Sequence, residues 1–260
     1  MLHAPDLLHR LIGLRFGRPV YLFQHLGSTN DQARRLAEGG APEGLMVVAE
    51  EQTAGRGRLQ RRWLTPPGSA LAVSLVLRPP LTAAQAMRLT MLAGLAVCEA
   101  AERVAGLRPE LKWPNDVLIG GRKTAGILVD SAFTGDALEY AVLGIGVNVS
   151  WAPAPEAVDF PATCLEAEAG RPVDRLTLLR ALLTAVETRY DALAGEAVFA
   201  DWRARLGRLG APAELHTEAG RLIGVAEDVT PEGALVFRTE AGEVRHVLAG
   251  DLRLRPRQAD

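Results

Sequence analysis

An arginine- and glycine-rich run at residues 51–63 carries the strongest chemical signal in the sequence. It reads Glu-Gln-Thr-Ala-Gly-Arg-Gly-Arg-Leu-Gln-Arg-Arg-Trp and follows an apolar stretch. Glycines let backbone N–H groups approach an anion, and arginines bind phosphate or carboxylate through paired hydrogen bonds. Trp63 offers a flat face for a base. The run is not a dinucleotide fingerprint, because Gln60 stands where GxGxxG has its last glycine. The alternative is a solvated arginine-rich surface loop.

A second segment, residues 112–116, reads Lys-Trp-Pro-Asn-Asp. Proline fixes its own φ and holds the preceding residue extended, so we expect a turn at a strand end that points Lys112, Asn115 and Asp116 outward. An aspartate beside substrate phosphates is a typical Mg²⁺ ligand, which makes Asp116 the candidate metal ligand. The alternative is an ordinary Pro-Asn-Asp turn without a ligand.

Two more segments lie on predicted strands. Lys123 starts an apolar strand, so its ammonium is expected at the rim of a sheet, where it suits a carboxylate or phosphate. Residues 143–149 alternate glycine with aliphatic residues, so one face of the strand lacks side chains there. A flat ligand or another backbone can pack against that face. Asn148 offers both a donor and an acceptor to an adenine edge. The alternatives are a surface lysine and tight core packing.

Lysine and asparagine are scarce in this chain. Only Lys112 and Lys123 among the 29 basic residues are lysines, and the three asparagines are Asn30, Asn115 and Asn148. Because arginine cannot replace a compact ammonium with a tunable pKa, scarce types are expected where their chemistry is needed. Together the segments predict a site for a nucleotide and a carboxylate, with arginine for phosphates, lysine for developing charge, and Trp and Asn for a base.

Composition excludes several classes of protein. The chain has 260 residues, of which 48% are hydrophobic and 23% charged, which excludes a disordered or collagen-like chain. No run reaches the roughly 18 apolar residues of a membrane helix, and charges interrupt the N-terminus, so no signal peptide is expected. The net charge of −2 gives no basic field for nucleic acid. Two distant cysteines indicate neither disulfides nor a zinc site, and a cytoplasmic setting is expected.

Hydrophobic periodicity predicts mixed helices and strands up to residue 207 and short strands beyond it. Helices are expected over 28–38, 83–104, 174–193 and 199–206, and strands over 45–50, 70–77, 111–113, 117–119, 124–131 and 140–149. Past residue 207, five short segments predict a small β-barrel of about 50 residues. These are 213–217, 221–228, 234–238, 244–248 and 252–254.

The motifs, in this order and spacing, resemble those of biotin protein ligases. The likeness runs from Ser28-Thr29-Asn30 through residues 52–63, 112–116 and 123–128 to 144–148. The tail, with Gly-Ala-Leu at 233–235 and Gly-Asp-Leu-Arg-Leu at 250–254, resembles the small C-terminal barrel of that family. The resemblance therefore covers nearly the whole chain.

The resemblance implies an α+β fold: a mixed, mostly antiparallel sheet flanked by helices, similar to the core of class II aminoacyl-tRNA synthetases, plus a small C-terminal SH3-like β-barrel. Residues 1–207 would form the catalytic biotin- and ATP-binding domain, and residues 208–260 the SH3-like barrel domain. The implied reaction has two steps. ATP with Mg²⁺ converts biotin to biotinyl-5′-AMP, and the biotinyl group then passes to a lysine of a biotin carboxyl carrier protein domain in a biotin-dependent carboxylase.

The resemblance also assigns roles by position. The catalytic positions are Lys123 and Arg58. The biotin-binding positions are Ser28, Thr29, Asn30, Gln52, Gly55, Arg56, Gly57, Arg58, Lys123 and Gly126. The ATP-binding positions are Arg56, Arg61, Trp63, Lys112, Asn115 and Asn148, and Asp116 is the candidate Mg²⁺ ligand. Leu59 and Gln60 depart from the more basic or glycine-containing loop of some relatives, which is expected to affect loop dynamics or adenylate retention.

Two other functions stay open on the sequence alone. A lipoate ligase or octanoyl transferase on a related fold would share the use of a lysine and the adenylate chemistry. The motifs at 112–116 and 55–58 nevertheless favour biotin. A non-enzymatic module would bind nucleic acid through the arginine loop, but it needs a basic stripe.

Only 27 residues precede Ser28, fewer than the roughly 60 of a winged helix-turn-helix, so no repressor function is expected. No membrane partner is expected, and a homodimer is compatible with the sequence.

Overall fold

Two β-sheets and six helices organise the protein in the computed structural model, which describes residues 2–207 and 209–254. The strands of the first sheet are β1 Val20–Leu26, β2 Met46–Gln52, β3 Ala70–Leu77, β4 Glu110–Lys112, β5 Asp116–Ile119, β6 Arg122–Thr134 and β7 Ala137–Asn148. The helices are α1 Ala4–Arg10, α2 Thr29–Glu38, α3 Met87–Ala105, α4 Leu165–Ala169, α5 Arg175–Tyr190 and α6 Glu196–Arg205.

The first sheet is mixed and mostly antiparallel, as predicted. Its strand order is β1-β2-β3-β7-β6-β5-β4, and β1 pairs with β2 in parallel while the other neighbours pair antiparallel. Sequence patterning missed the edge strand β1. Its side chains do not alternate cleanly between buried and exposed, and it carries Gln24 and His25 near its end. A strand without this alternation does not show the period-two pattern from which a half-buried strand is predicted.

Helices cover both faces of this sheet because successive strand residues point to opposite sides. On β2, Met46 and Val48 join the large core cluster that contains α3 and α5, whereas Val47 joins the smaller cluster beneath α2. α3 is buried along almost its whole length, consistent with its run of alanine, leucine and methionine. Among the described residues, no helix combines the length and apolarity needed to cross a membrane.

Side chains and backbone geometry set the helix ends. Ser28 Oγ accepts a hydrogen bond from the Asp31 amide at 3.4 Å, so α2 begins where the sequence predicts. The helix predicted to start at residue 83 is wrong at its N-terminus. Ala83–Gln85 forms a separate 3₁₀ turn closed by a capping box from Thr82, and α3 starts only at Met87. The helix predicted over 199–206 begins earlier than expected, at Glu196.

The turns around the site residues follow their glycines. Gly120 and Gly121 join β5 to β6 with φ angles of 56° and 73°, as the sequence predicts for a two-residue hairpin turn. β6 and β7 then run antiparallel for longer than expected, from Arg122 to Asn148, and turn back at Gly135. This long hairpin forms the floor on which the site is built.

The second sheet is antiparallel and contains the strands expected of the C-terminal segment. They are β8 Pro212–Thr217, β9 Gly220–Val229, β10 Leu235–Thr239, β11 Val244–Val247 and β12 Asp251–Leu254. The order is β11-β10-β9-β8-β12, and no pairing between β11 and β12 closes the sheet within the described residues. The structure therefore shows an open five-stranded sheet, and the SH3-like barrel is not confirmed. The domain boundary at residue 207 stays a prediction.

Candidate active site

A cleft of about 540 Å³ opens above the central strands of the first sheet. The N-terminus of α2, the loop after β2, and strands β5 to β7 supply its walls. Every site residue predicted from the sequence lines it except Gly55. The second sheet contributes Gly250 and Asp251 to the lining. Motifs that lie up to 120 residues apart in the chain, from Ser28 to Asn148, therefore meet in one cavity.

One end of the cleft is a neutral polar corner, formed by Ser28, Thr29, Asn30, Gln52 and Ser74. The Thr29 amide donates to Gln52 Oε1 at 2.8 Å, and the Thr29 hydroxyl lies 3.0 Å from the same oxygen. Ser74 Oγ lies 2.8 Å from Thr29 Oγ1 and 2.6 Å from Asn30 Oδ1. Thr29 and Asn30 are thus tied to Gln52 at the end of β2 and to Ser74 in the middle of β3, which holds the corner in place.

Hydrogen-bond chemistry sets the direction of one of these contacts. An amide oxygen only accepts, so the Ser74 hydroxyl donates to Asn30 Oδ1, and the single Thr29 hydroxyl proton goes either to Gln52 Oε1 or to Ser74 Oγ. Asn30 Nδ2 in turn donates to the Leu128 carbonyl at 3.2 Å and to Asp130 Oδ2 at 3.1 Å. A planar ligand with N–H donors and a carbonyl acceptor would therefore meet groups whose orientation is set before it arrives.

The opposite wall is an arginine hairpin, residues 55–63. The Trp63 amide donates to the Gly55 carbonyl at 2.9 Å, and the Gly57 amide donates to the Arg61 carbonyl at 2.7 Å. A Cβ at Gly55 would collide with the Trp63 carbonyl oxygen, so the closed base of the hairpin requires glycine there. At the tip, Leu59 has a φ of 53°, the one non-glycine residue with positive φ in the described chain.

Arg56 is held by two carboxylates at the edge of the cleft. Its Nη2 lies 2.6 Å from Asp31 Oδ1 and 3.0 Å from Asp130 Oδ2. Asp130 also accepts from Asn30, which connects the hairpin to the polar corner. An incoming anion would have to replace these carboxylates as the partner of Arg56.

The lysines predicted from the sequence share one buried aspartate. Lys123 Nζ lies 2.6 Å from Asp116 Oδ1, and Lys112 Nζ lies 3.4 Å from Asp116 Oδ2. Burial raises the pKa of the Asp116 carboxyl, but the charges of Lys123 and then Lys112 outweigh it, so that pKa lies below its usual range. The expectation that Lys112 and Asp116 point outward is wrong, because both are more than 90% buried.

The burial of Lys112 has a specific cause. Asp251, at the start of β12 in the second sheet, covers the end of the β4–β5 hairpin and places Oδ1 3.2 Å from Lys112 Nζ. Its other oxygen lies 2.8 Å from Arg61 Nη2. Burial opposes ionisation of Asp251, but the charges of Lys112 and Arg61 lower its pKa from 3.8 to about 2. The two sheets are therefore joined by charge at the site.

Arg58 is the most buried cation of the hairpin. Burial lowers the pKa of its guanidinium, and the charges of Asp116 and Asp251 only partly compensate. No described carboxylate lies within ion-pair distance of Arg58, in contrast to Arg56 and Arg61. A half-buried guanidinium without a close counter-ion is well suited to an anionic ligand in the cleft.

The two asparagine amides of the site are fixed by backbone carbonyls. Asn115 Nδ2 donates to Ile127 O at 2.7 Å, and Asn148 Nδ2 donates to Thr163 O at 3.0 Å. The Trp63 ring lies against β6 and β7, with Lys123 Nζ 5.7 Å from its centroid. The Trp63 ring, predicted from the sequence to face a base, therefore lies next to Lys123.

Sequence reasoning missed three residues that organise the site: Ser74, Asp130 and Asp251. The sequence does contain an indication for Ser74, because this serine interrupts an apolar run at residues 70–77. A buried hydroxyl needs a hydrogen-bond partner. The indication for Asp130 is weaker: it is a single acidic residue at the end of an apolar strand. Asp251 lay in a recognised tail motif, but only the packing of the second sheet shows which groups it reaches.

The regions that form the cleft also match known proteins. Residues 22–148 match the biotin/lipoate A/B protein ligase family. The chain is similar to the biotin–[acetyl-CoA-carboxylase] ligase of Paracoccus denitrificans, with 38% identity over 83% of this chain and 92% of that protein. It is also 34% identical to the bifunctional ligase/repressor BirA of Bacillus subtilis, covering 93% of this chain and 78% of that protein.

A solved structure matches the fold over a similar extent. The biotin protein ligase from Aquifex aeolicus in complex with biotin and ATP superposes with a TM-score of 0.74 and 29% identity. The match covers 92% of this chain and 99% of that one, so it includes both sheets.

Proposed function

We infer that this chain, which belongs to the biotin/lipoate A/B protein ligase family, is an ATP-dependent biotin protein ligase. It activates biotin to biotinyl-5′-AMP and transfers the biotinyl group to a protein lysine. The observation that carries this function is the division of the cleft. A rigid neutral corner lies at one end, and a set of lysines and arginines lies at the other. A ligand with a polar uncharged ring and a distal carboxylate matches that division.

The polar corner suits the cyclic urea of biotin. The urea is planar and offers two N–H donors and one carbonyl acceptor. Thr29, Asn30 and Gln52 present fixed oxygens and amides, and Ser28 lies buried beside them. We assign Ser28, Thr29, Asn30 and Gln52 to this end of biotin. Gly126, the other biotin-binding position predicted from the sequence, lies under the Trp63 ring and beside Lys123. The carboxylate of biotin would then extend toward Lys123 and the arginine hairpin.

The first chemical step joins two anions. A carboxylate oxygen of biotin attacks the α-phosphorus of ATP, an O–P bond forms, and the bond to the leaving pyrophosphate breaks. Cations must lower the repulsion and stabilise charge as it develops on the phosphoryl oxygens. We assign that role to Lys123 and Arg58, whose positive charges lie on the same side of the cleft, around Asp116. No group has to add or remove a proton in this step.

The remaining predicted residues surround the nucleotide. We assign Arg56, Arg61, Lys112 and Asn115 to the phosphates, and Trp63 and Asn148 to the adenine. Gly55 and Gly57 allow the hairpin to approach the adenylate through its backbone. Because a mixed anhydride hydrolyses in water, closure of the hairpin over the cleft would protect it. In the second step the neutral lysine amine attacks the carbonyl carbon of the anhydride. A C–N bond forms, the C–O bond to AMP breaks, AMP leaves and the amine nitrogen releases a proton.

The residues present do not fit a magnesium ion held by Asp116. Both of its oxygens are engaged by ammonium groups, at 2.6 Å and 3.4 Å, and an ion there would meet two positive charges. No cluster of three potential metal ligands occurs in the described part of the chain. We therefore assign Asp116 to holding Lys123 and Lys112, and derive no step through a metal bound there.

The family includes ligases for lipoate, so substrate choice needs an experiment. The protein should be incubated with ATP, Mg²⁺, an apo biotin carboxyl carrier domain and either biotin, lipoate or octanoate. Intact-mass analysis should show one biotinyl group added at a single lysine of the carrier. Modification of the carrier by lipoate or octanoate instead would identify the protein as a lipoate ligase or octanoyl transferase. If none of the three acids is attached, the proposed ligase function is contradicted.

The wider assignments follow from this function. The acceptor is a carrier domain of a biotin-dependent carboxylase, and the reaction is placed in the cytoplasm, where ATP and such carboxylases occur together. We propose that residues 208–260 form a C-terminal domain of the SH3-like type, whose Asp251 reaches the site of the catalytic domain, residues 1–207. A homodimer stays a prediction.

A further inference from the structure

The indole of Trp63 rests on a glycine pair, Gly126 and Gly146. These residues face each other directly across β6 and β7. A Cβ built on Gly146 would lie 2.5 Å from Trp63 Cε2 and 2.6 Å from Nε1. A Cβ built on Gly126 would lie 3.2 Å from Cζ3. The face of the sheet that lacks side chains at these positions is therefore filled by the protein's own tryptophan.

Shape holds this ring in place. Trp63 Nε1 is buried and has no hydrogen-bond partner among the described residues. The neighbouring glycine of β7 serves another residue, because a Cβ at Gly144 would collide with the Asn30 amide. The two glycines of the Gly-Ile-Gly motif thus admit two different side chains, Asn30 of the polar corner and Trp63 of the arginine hairpin.

The position of the ring sets the position of the hairpin. Trp63 closes its base through the 2.9 Å bond to Gly55, and Arg56, Arg58 and Arg61 lie between these two residues. We propose that Gly146, assisted by Gly126, is a positioning residue: the glycine pair receives Trp63 and thereby holds the arginine hairpin over the cleft. The effect on activity rests on the proposed function, whereas the effect on hairpin order does not.

Limited digestion by trypsin tests this without substrate. The hairpin contains four arginines, so cleavage after Arg56, Arg58, Arg61 or Arg62 reports directly on its order. Gly146→Ala should be cut there at least tenfold faster than the wild type, and Gly126→Ala should show a smaller increase. The matched control is Gly39→Ala at the end of α2, where the new Cβ meets only ordinary contacts at 3.4 Å. That control should be cut at the wild-type rate.

A double-mutant cycle separates the proposal from general damage to the fold. Trp63→Ala removes the ring that the new Cβ would displace. In that background Gly146→Ala should change the hairpin cleavage rate less than twofold, while urea unfolding shows that both proteins remain folded. An equally large effect of Gly146→Ala with and without Trp63 would overturn the proposal, as would wild-type protection in the single variant.

Kinetics then link hairpin order to the reaction. Gly146→Ala should raise the KM for ATP about tenfold in biotin-dependent adenylation, and the same substitution should have no further effect in the Trp63→Ala background. An unchanged KM in an enzyme whose hairpin is readily cut would overturn the positioning role. If the wild type adenylates no acid, the proposed function fails, but the cleavage experiment still decides whether the glycine pair holds Trp63.

Discussion

The polar corner and the arginine hairpin recognise their ligands in opposite ways. In the corner, the neutral side chains of Thr29 and Asn30 at the start of α2 are held by hydrogen bonds to Ser74 in the middle of β3. In the hairpin and the lysine cluster beside it, charges are paired with internal carboxylates, Asp31, Asp130, Asp116 and Asp251, wherever a partner is within reach. The corner is complete before ligand binds, whereas the charged half holds carboxylates where substrate anions would bind.

This contrast has a physical reason. A neutral hydrogen-bonding group can stay buried if a neutral partner is close, but a buried cation without a counter-ion is costly. The charged half therefore needs its own anions while the substrate is absent. A carboxylate or phosphate of the substrate can then replace an internal carboxylate as the partner of one of these cations.

The largest expected effect comes from removing the ammonium of Lys123. Lys123→Ala should lower the rate of biotin adenylation by about 100- to 1,000-fold, since it removes a donor aimed at developing charge. Asp116 keeps Lys112 as its partner, so the fold should remain intact by circular dichroism. Lys123→Arg is the matched variant, and it should not restore the rate because a planar guanidinium does not reproduce a compact ammonium. A rate near that of the wild type in either variant would break the assignment.

The link between the sheets gives the next largest effect, on stability. Asp251 has a pKa of about 2 in the fold against 3.8 as its ordinary value, so Asp251→Asn should lower the free energy of unfolding by about 2 kcal/mol at pH 7. A depressed pKa stabilises the fold above pH 3.8, and that contribution is lost as the pH falls toward 2. Urea unfolding of both proteins at pH 7, 4 and 3 should show the difference narrowing at the lowest pH.

A difference that stays constant with pH would mean that Asp251 acts by packing rather than by charge. Asp228→Asn in the same sheet is the comparison variant, because Asp228 pairs with the exposed Arg203 outside the cleft. Exposed ion pairs contribute little, so this substitution should change the unfolding free energy by less than about 1 kcal/mol.

Ser74→Ala tests the neutral half. It removes the only described donor to Asn30 Oδ1 and leaves buried polar groups without a partner, which should weaken biotin binding about tenfold. Isothermal titration with biotin in the absence of ATP measures this directly. Ser131→Ala, an exposed serine on β6, is the control and should bind as the wild type does. Equal affinity in Ser74→Ala would show that the corner does not depend on this network.

The smallest effect is expected at the tip of the hairpin. Leu59 has the left-handed conformation that glycine adopts without strain, and its side chain is more than half exposed. Leu59→Gly should therefore raise the free energy of unfolding by about 0.5 kcal/mol or less, whereas Leu59→Ala, which keeps the strain, should not raise it. Urea unfolding of the two variants compares them, and a gain in Leu59→Ala alone would contradict the account.

Sequence reasoning found the charged half of the site more completely than the elements that position it. The type and spacing of arginines, lysines and glycines indicate anion binding directly in the sequence. Of the arginines, lysines and glycines predicted as site residues, all except Gly55 line the cleft. The edge strand β1 had no clean periodicity. The burial of Lys112 depended on Asp251, which lies 139 residues away in the second sheet. Contacts between distant elements are set by packing, and no local pattern in one sequence encodes them.

Biotin-dependent exchange of labelled pyrophosphate into ATP tests the central claim most directly, because it requires a carboxylate and a nucleotide to meet and react in this cleft. The protein should be assayed with Mg²⁺ and with biotin, lipoate or octanoate in parallel, beside the Lys123→Ala variant. The account predicts exchange with biotin, none with the other two acids, and loss of exchange in the variant. Folded protein that gives no exchange with biotin, or exchange that persists without Lys123, would contradict it.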